Sequence, residues 1–165
     1  MLEAGSIVHY GMDGVCEITG ITEKKLGGQV RRFYELHPRF RKNTVVFLPV
    51  DNESLLSRIR PVLSRDEILS VLHELKSAET CWIDSEAARK ETYSLIICSG
   101  DHRRLVSLVK TLYERKLQMQ EDGRRLRSVD SAFLKDAERL VNEEFAFVMG
   151  IEPSEVPAFI QKELS

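Results

Sequence analysis

Residues 80–117 read TCWIDSEAARKETYSLIICSGDHRRLVSLVKTLYERKL. Two helical patterns lie in this stretch, joined at Ser99-Gly100-Asp101. Gly100 suits the left-handed residue that follows a helix, and the Asp101 carboxylate suits the cap of the next one. The first pattern, 84–98, puts Ala88, Thr92, Leu95 and Ile96 on an inward stripe and leaves Glu86, Arg89, Lys90 and Tyr93 on or near the other side. The second, 101–120, turns Leu105, Leu108, Val109, Leu112 and Tyr113 inward. So short a connection makes the two helices antiparallel neighbours, roughly 21 and 30 Å long at 1.5 Å per residue. The chain's one tryptophan, Trp82, stands where a polar linker enters the first of them.

The helical reading continues on both sides. Ser64-Arg65-Asp66-Glu67 fits a capping box, with Ile68, Leu69, Leu72 and Leu75 along one face behind it. Glu121 to Ser128 is a loop carrying Arg124, Arg125 and Arg127. After it comes a helix over 129–149, with Phe133, Ala137, Leu140, Val141, Phe145 and Val148 as its apolar stripe. Gly150 ends that helix, and Pro153 tolerates the first turn of a last short one. Residues 61–165 therefore read as an all-α bundle of about five helices. The antiparallel pair carries the arginine loop back to the end of the bundle that holds Trp82. Trp82, Arg89, Lys90, Arg124, Arg125 and Arg127 are thus expected within reach of one ligand surface.

Before Pro61 the apolar period is two. Ile7 to Tyr10, Val15 to Thr22, Gln29 to Leu36 and Thr44 to Leu48 read as strands, with a short fifth at Ser57 to Pro61. Gly27-Gly28 supplies the positive φ of a hairpin turn, and Pro49, which has no amide to donate, ends the fourth strand. Five short strands in residues 1–60 favour a small Tudor- or SH3-like barrel, because curling removes exposed edges. The fold class is multidomain α and β: barrel first, helical bundle second.

Composition excludes several function classes. At 42% hydrophobic and 30% charged the chain is globular rather than disordered. No apolar run reaches the roughly 20 residues of a membrane span, and the first residues lack the pattern of a signal peptide, so a cytoplasmic protein is expected. Cys16, Cys81 and Cys98 form no CxxC pair and sit in apolar patterns, which points to reduced, mostly buried thiols. The four histidines are scattered, and no HExxH, phosphate loop, nucleophile elbow or dinucleotide fingerprint occurs. No catalysis, cofactor, metal or small-molecule substrate is expected. The net charge is −2, but residues 136–165 hold 7 acidic and 2 basic side chains, leaving the middle nearly balanced. Any phosphate contact then rests on local clusters and is weak alone.

Several motifs, taken in order, resemble the CarD family of bacterial transcription regulators. They are Gly11-Met12-Asp13-Gly14-Val15, Phe47-Leu48-Pro49-Val50-Asp51, the Trp82 linker, Ser99-Gly100-Asp101, Leu105 to Tyr113, and Gly123-Arg124-Arg125-Leu126. The resemblance spans nearly the whole chain. It implies a Tudor-like amino domain, shared with the transcription-repair coupling factor, that binds the RNA polymerase β subunit. It implies also a helical domain that touches promoter DNA at the upstream edge of the bubble, weakly and mainly through backbone and minor groove, and stabilises the open complex. Trp82 matches the family's wedge, with Arg89 and Lys90 near its basic helix positions. Phe47 stands where some members carry a basic residue two before the strand proline, so a polymerase contact there is apolar or falls to Lys24 and Lys25. The segment from Trp82 to Gly100 is a few residues longer than in some members.

Each of these residues has a plainer role open to it. Trp82 can seal the bundle core, and Arg89 and Lys90 can be a solvated face paired with Glu86. Arg124, Arg125 and Arg127 can offset Glu121 and Asp122 or the carbonyl end of their helix. Lys24 and Lys25 can be no more than a soluble hairpin tip, and Phe47 can be barrel core. The competing function is an adaptor whose helical half binds another protein and never DNA.

Overall fold

The computed structural model describes residues 2–165 and divides after Val62 into two compact units. In the first, β1 (Ile7–Tyr10), β2 (Gly14–Leu26), β3 (Gln29–Pro38), β4 (Val46–Pro49) and β5 (Ile59–Pro61) form one antiparallel sheet in the order β4-β3-β2-β1-β5. A 3-10 turn over Gly11–Asp13 joins β1 to β2, and a one-turn helix, α1 (Glu53–Leu56), precedes β5. This five-strand sheet matches the Tudor-like arrangement expected for the first unit. Val8, Tyr10, Cys16, Ile18, Tyr34, Leu36 and Leu48 pack on its inner face.

β2 runs four residues beyond the expected strand, and its ribbon with β3 closes at Gly27-Gly28 with φ of 57° and 82°. The register shifts between Ile18 and Gly20, so Thr19 is the extra residue of a bulge. Ile21, expected with the apolar positions, pairs with the core residue Tyr34 and is nonetheless 38% exposed.

The second unit holds α2 (Arg65–Ser77), α3 (Glu86–Ser99), α4 (His102–Glu121), α5 (Ser128–Met149) and, after a 3-10 turn at Pro153–Glu155, α6 (Val156–Leu164). Ser64 and Glu67 make the reciprocal capping box: Ser64 Oγ accepts from the Glu67 amide at 3.1 Å, and the Glu67 carboxylate from the Ser64 amide at 2.7 Å. Gly100 is left-handed at φ 67°, and Asp101 accepts from the Arg104 amide at 3.1 Å. That pair of caps produces the reversal between α3 and α4. Ile68, Leu72, Leu105, Leu112, Leu140, Phe145 and Val156 are almost fully enclosed in the core.

Three expectations about burial are corrected here. α3 buries Arg89, Tyr93 and Ile97, while Leu95 is 64% exposed, so the helix is turned away from the stripe through Ala88, Thr92 and Leu95. A charged residue became core because a partner on α5 neutralises it, which periodicity of apolar residues cannot report. Leu69 and Tyr113 are exposed, Val71 and Val106 taking the places expected of them in the core. Cys81 and Cys98 are exposed, and Cys16 alone of the three is buried. α5 buries three acids, Asp130, Glu143 and Glu144, that its apolar stripe does not reveal. The Glu144 carboxylate accepts from the Leu63 amide at 3.0 Å, and Glu143 pairs with Arg139 at 3.3 Å.

Candidate functional site

Arg89 is the centre of the arrangement around Trp82. Its Nε and Nη2 donate to the two carboxylate oxygens of Asp130, both at 3.0 Å, in the fork geometry that makes such pairs strong. Its Nη1 donates to the carbonyls of Ile83 and Asp84, each at 3.0 Å. The guanidinium carbon sits 4.6 Å from the centroid of the Trp82 ring. One side chain therefore ties the linker after Trp82, the first turn of α5 and the indole together. Only 4% of Arg89 is exposed, and the hydrogen bond to Asp130 raises its pKa further against the cost of burial. Arg89 was expected to face a ligand. With its fork occupied and its surface enclosed, it holds Trp82 instead.

Trp82 is half-buried, its ring packed against the helical core. A second guanidinium, that of Arg115 on α4, lies over the same ring at 4.8 Å. Such cation–π contacts contribute about 0.5–2 kcal/mol, and they fix the plane of the indole. Behind it, Tyr93 meets Phe133 edge-to-face at 5.7 Å, and burial pushes the Tyr93 phenol pKa up, with the Arg89 charge pulling it back.

In front of Trp82 is a cleft of about 350 Å³, lined by Arg115, Arg124 and Arg127 together with Asp84, Glu86 and Met119. Arg124 and Arg127 come from the loop between α4 and α5, so the structure does bring that loop to Trp82 across some forty residues of sequence. Arg127 is paired, its Nη1 donating to Glu86 at 2.6 Å, and both partners are well exposed. Arg125 lines a separate depression with Lys116 and Gln120, and Lys90 is an exposed residue of α3 outside the cleft. Of the six residues expected on one surface, Trp82, Arg124 and Arg127 face this cleft, with Arg89 beneath it. Sequence reasoning missed Arg115 and Asp130. Arg115 sits one turn past the Leu108/Leu112 stripe of α4, and its spacing from Trp82 gave no hint of contact. Asp130 looked like an ordinary first-turn acid.

The first unit carries its own candidate contact. Phe47 pairs with Glu35, placing it on the outer face of the sheet while Val46 and Leu48 turn inward. Its ring is 37% exposed, meets Phe33 edge-to-face at 6.4 Å, and has Lys24 Nζ 3.4 Å from its centroid. The core reading of Phe47 is thereby corrected: β4 alternation points it out of the core. Pro49 pairs with Phe33 and ends the same edge strand. Lys25 pairs with Val30 and belongs to the opposite face of the ribbon.

Among the described residues, no helix is long and apolar enough to cross a membrane, and no group of three His, Cys, Asp or Glu is placed to hold a metal ion. The family described as CarD-like/TRCF RID domain matches residues 2–62. No curated protein matches the chain.

Proposed function

We propose that the chain, whose residues 2–62 match the CarD-like/TRCF RID domain family, is a transcription regulator bridging RNA polymerase and promoter DNA. The first unit binds the polymerase β subunit through Phe47, Lys24 and Pro49. The second presents Trp82 to DNA at the upstream edge of the bubble, where the duplex is already opening. The observation that carries this reading is the indole itself: half-buried, clamped by Arg89 and Arg115, and bordered by arginines in a unit joined to an RID domain.

Prying apart a base step costs a few kcal/mol, and least where the stack is already broken. A wedge therefore interacts more favourably with melted than with closed DNA, and only such a difference shifts the equilibrium toward the open complex. Near-neutral charge is compatible with this. Once the RID domain is docked, the second unit meets DNA at an effective concentration on the order of millimolar, so a few phosphate contacts suffice.

The test is the lifetime of the open complex on a promoter challenged with competitor. Trp82→Ala is expected to return that lifetime to its value without the protein, while folding and capture of the β subunit are unchanged. A Trp82→Ala protein that prolongs the open complex as well as the parent overturns the wedge. In the same assay, Phe47→Ala is expected to lose β-subunit capture.

A further inference from the structure

Trp82 sits in a stretch, residues 78–85, that belongs to no helix or strand. Among the described residues, main-chain hydrogen bonds stop at the Ala78 amide and resume at the Ser85 carbonyl. Holding such a segment in one conformation costs backbone entropy at every residue, so side-chain contacts must offset that cost. Arg89 does so after the indole, through the carbonyls of Ile83 and Asp84. Before the indole the contacts come from α4. Lys110 Nζ donates to the Leu75 carbonyl at 2.9 Å and to the Ala78 carbonyl at 2.6 Å, joining the last turn of α2 to the first residue of the stretch. One turn further along α4, Glu114 Oε2 accepts from Thr80 Oγ1 at 2.7 Å, and its other oxygen lies 3.9 Å from Lys110 Nζ.

We propose that Lys110 and Glu114 are positioning residues for Trp82. Lys110 suits the first task because an ammonium on a flexible stem carries three donors and bridges two carbonyls that a planar guanidinium fork fits less well. It also places a positive charge at the carbonyl end of α2, where the helix dipole favours one. Glu114 acts as an acceptor more than as a charge. Its ion pair with Lys110 is long and open to solvent, hence weak, whereas the short bond to Thr80 fixes the chain two residues before the indole. The stretch is thus held on both sides of Trp82, and neither Lys110 nor Glu114 lines the cleft in front of the ring. A ring already fixed loses less freedom when it meets its target, which is the gain that preorganisation gives. The consequence for transcription rests on the wedge reading; the restraint on the ring does not.

Trp82 is the chain's single tryptophan, so the intact protein is its own reporter. Time-resolved anisotropy, recorded well below the melting temperature, reads the fraction of indole free to rotate on the nanosecond scale. That fraction is expected to rise roughly fivefold in Lys110→Met, Glu114→Ala and Thr80→Val, the factor that one ordinary hydrogen bond supplies. Lys110→Arg is expected to restore part of the restraint, and Glu114→Gln, whose amide oxygen still accepts from Thr80, nearly all of it. Thr80→Val leaves α2 and the core untouched, so it tests the restraint even where Lys110→Met loosens α2. A purely structural Lys110 would lower the urea midpoint and leave the ring's rotation as in the parent. That result, with rotation also unchanged in Thr80→Val, overturns the proposal, as does a Glu114→Gln protein as loose as Glu114→Ala. In the open-complex assay, Lys110→Met is expected to fall between the parent and Trp82→Ala, with β-subunit capture intact. Where Trp82→Ala has no effect on lifetime but these variants free the ring, the wedge fails and the positioning role holds. Where Trp82→Ala abolishes the effect and the ring stays fixed in all three, the positioning role fails and the wedge holds.

Discussion

Arg89 shows how much one residue's role depends on its counter-charge. On a helix otherwise rich in polar side chains it reads as a solvated base, yet the fork onto Asp130 makes it the most constrained side chain near Trp82. Removing one partner of a buried pair strands the other charge, at a cost of about 3–5 kcal/mol. Asp130→Ala and Arg89→Met are each expected to lose stability in that range in urea unfolding and to shift Trp82 emission. The Arg89→Met/Asp130→Leu double variant should lose less than either, because no charge is left buried. Glu138 makes the opposite case. Burial raises its carboxyl pKa, only partly offset by Lys116. A raised folded pKa means the acid form is favoured in the fold; that stabilisation is complete below the unfolded value of about 4.3 and is lost as pH rises through the folded one. Glu138→Gln is therefore expected to melt at higher temperature than the parent at pH 7, and the difference should vanish below about pH 4.

At the scale of elements, caps and turns were legible because their chemistry is local. Ser64 with Glu67, Gly100 with Asp101, and Gly27-Gly28 act where the sequence says they act. Helix phase was harder. α3 has few large apolar residues, and its buried face runs through Arg89, Tyr93 and Ile97. The phase itself is testable by substitution. Leu95→Glu is expected to change stability by less than about 0.5 kcal/mol, the usual range for an exposed position. Ile97→Ala should cost about 2–5 kcal/mol as a cavity forms. The reverse order in thermal or urea denaturation would mean that α3 is turned the other way. In the sheet, the bulge at Thr19 was equally hidden, since one extra residue changes which side chains face the core without changing composition.

For the molecule as a whole, the proposed function turns on the covalent connection between the unit that matches the RID family and a helical unit bearing Trp82. If binding to polymerase raises the local concentration of the second unit, cutting the chain should abolish the effect while leaving both parts folded. Residues 1–62 and 63–165 supplied as separate polypeptides at micromolar concentration are expected to leave open-complex lifetime unchanged. Residues 1–62 alone should compete with the intact protein for the β subunit. Persistence of the full effect with separate polypeptides would mean that the helical unit binds its target without tethering. The magnitude follows from linkage: a tether worth about a millimolar exceeds micromolar free concentration by roughly a thousandfold.

The order of strands and helices, the caps, the change of period at Pro61 and the candidate Trp82 all follow from the sequence, because each depends on neighbours a few residues away. Packing alone decided that Arg89 is enclosed, that Phe47 faces outward beneath Lys24, and that Arg115 and Asp130 belong to the Trp82 site. Those outcomes are contacts between elements distant in the chain, where the burial of a charge depends on whether an opposite charge arrives to meet it.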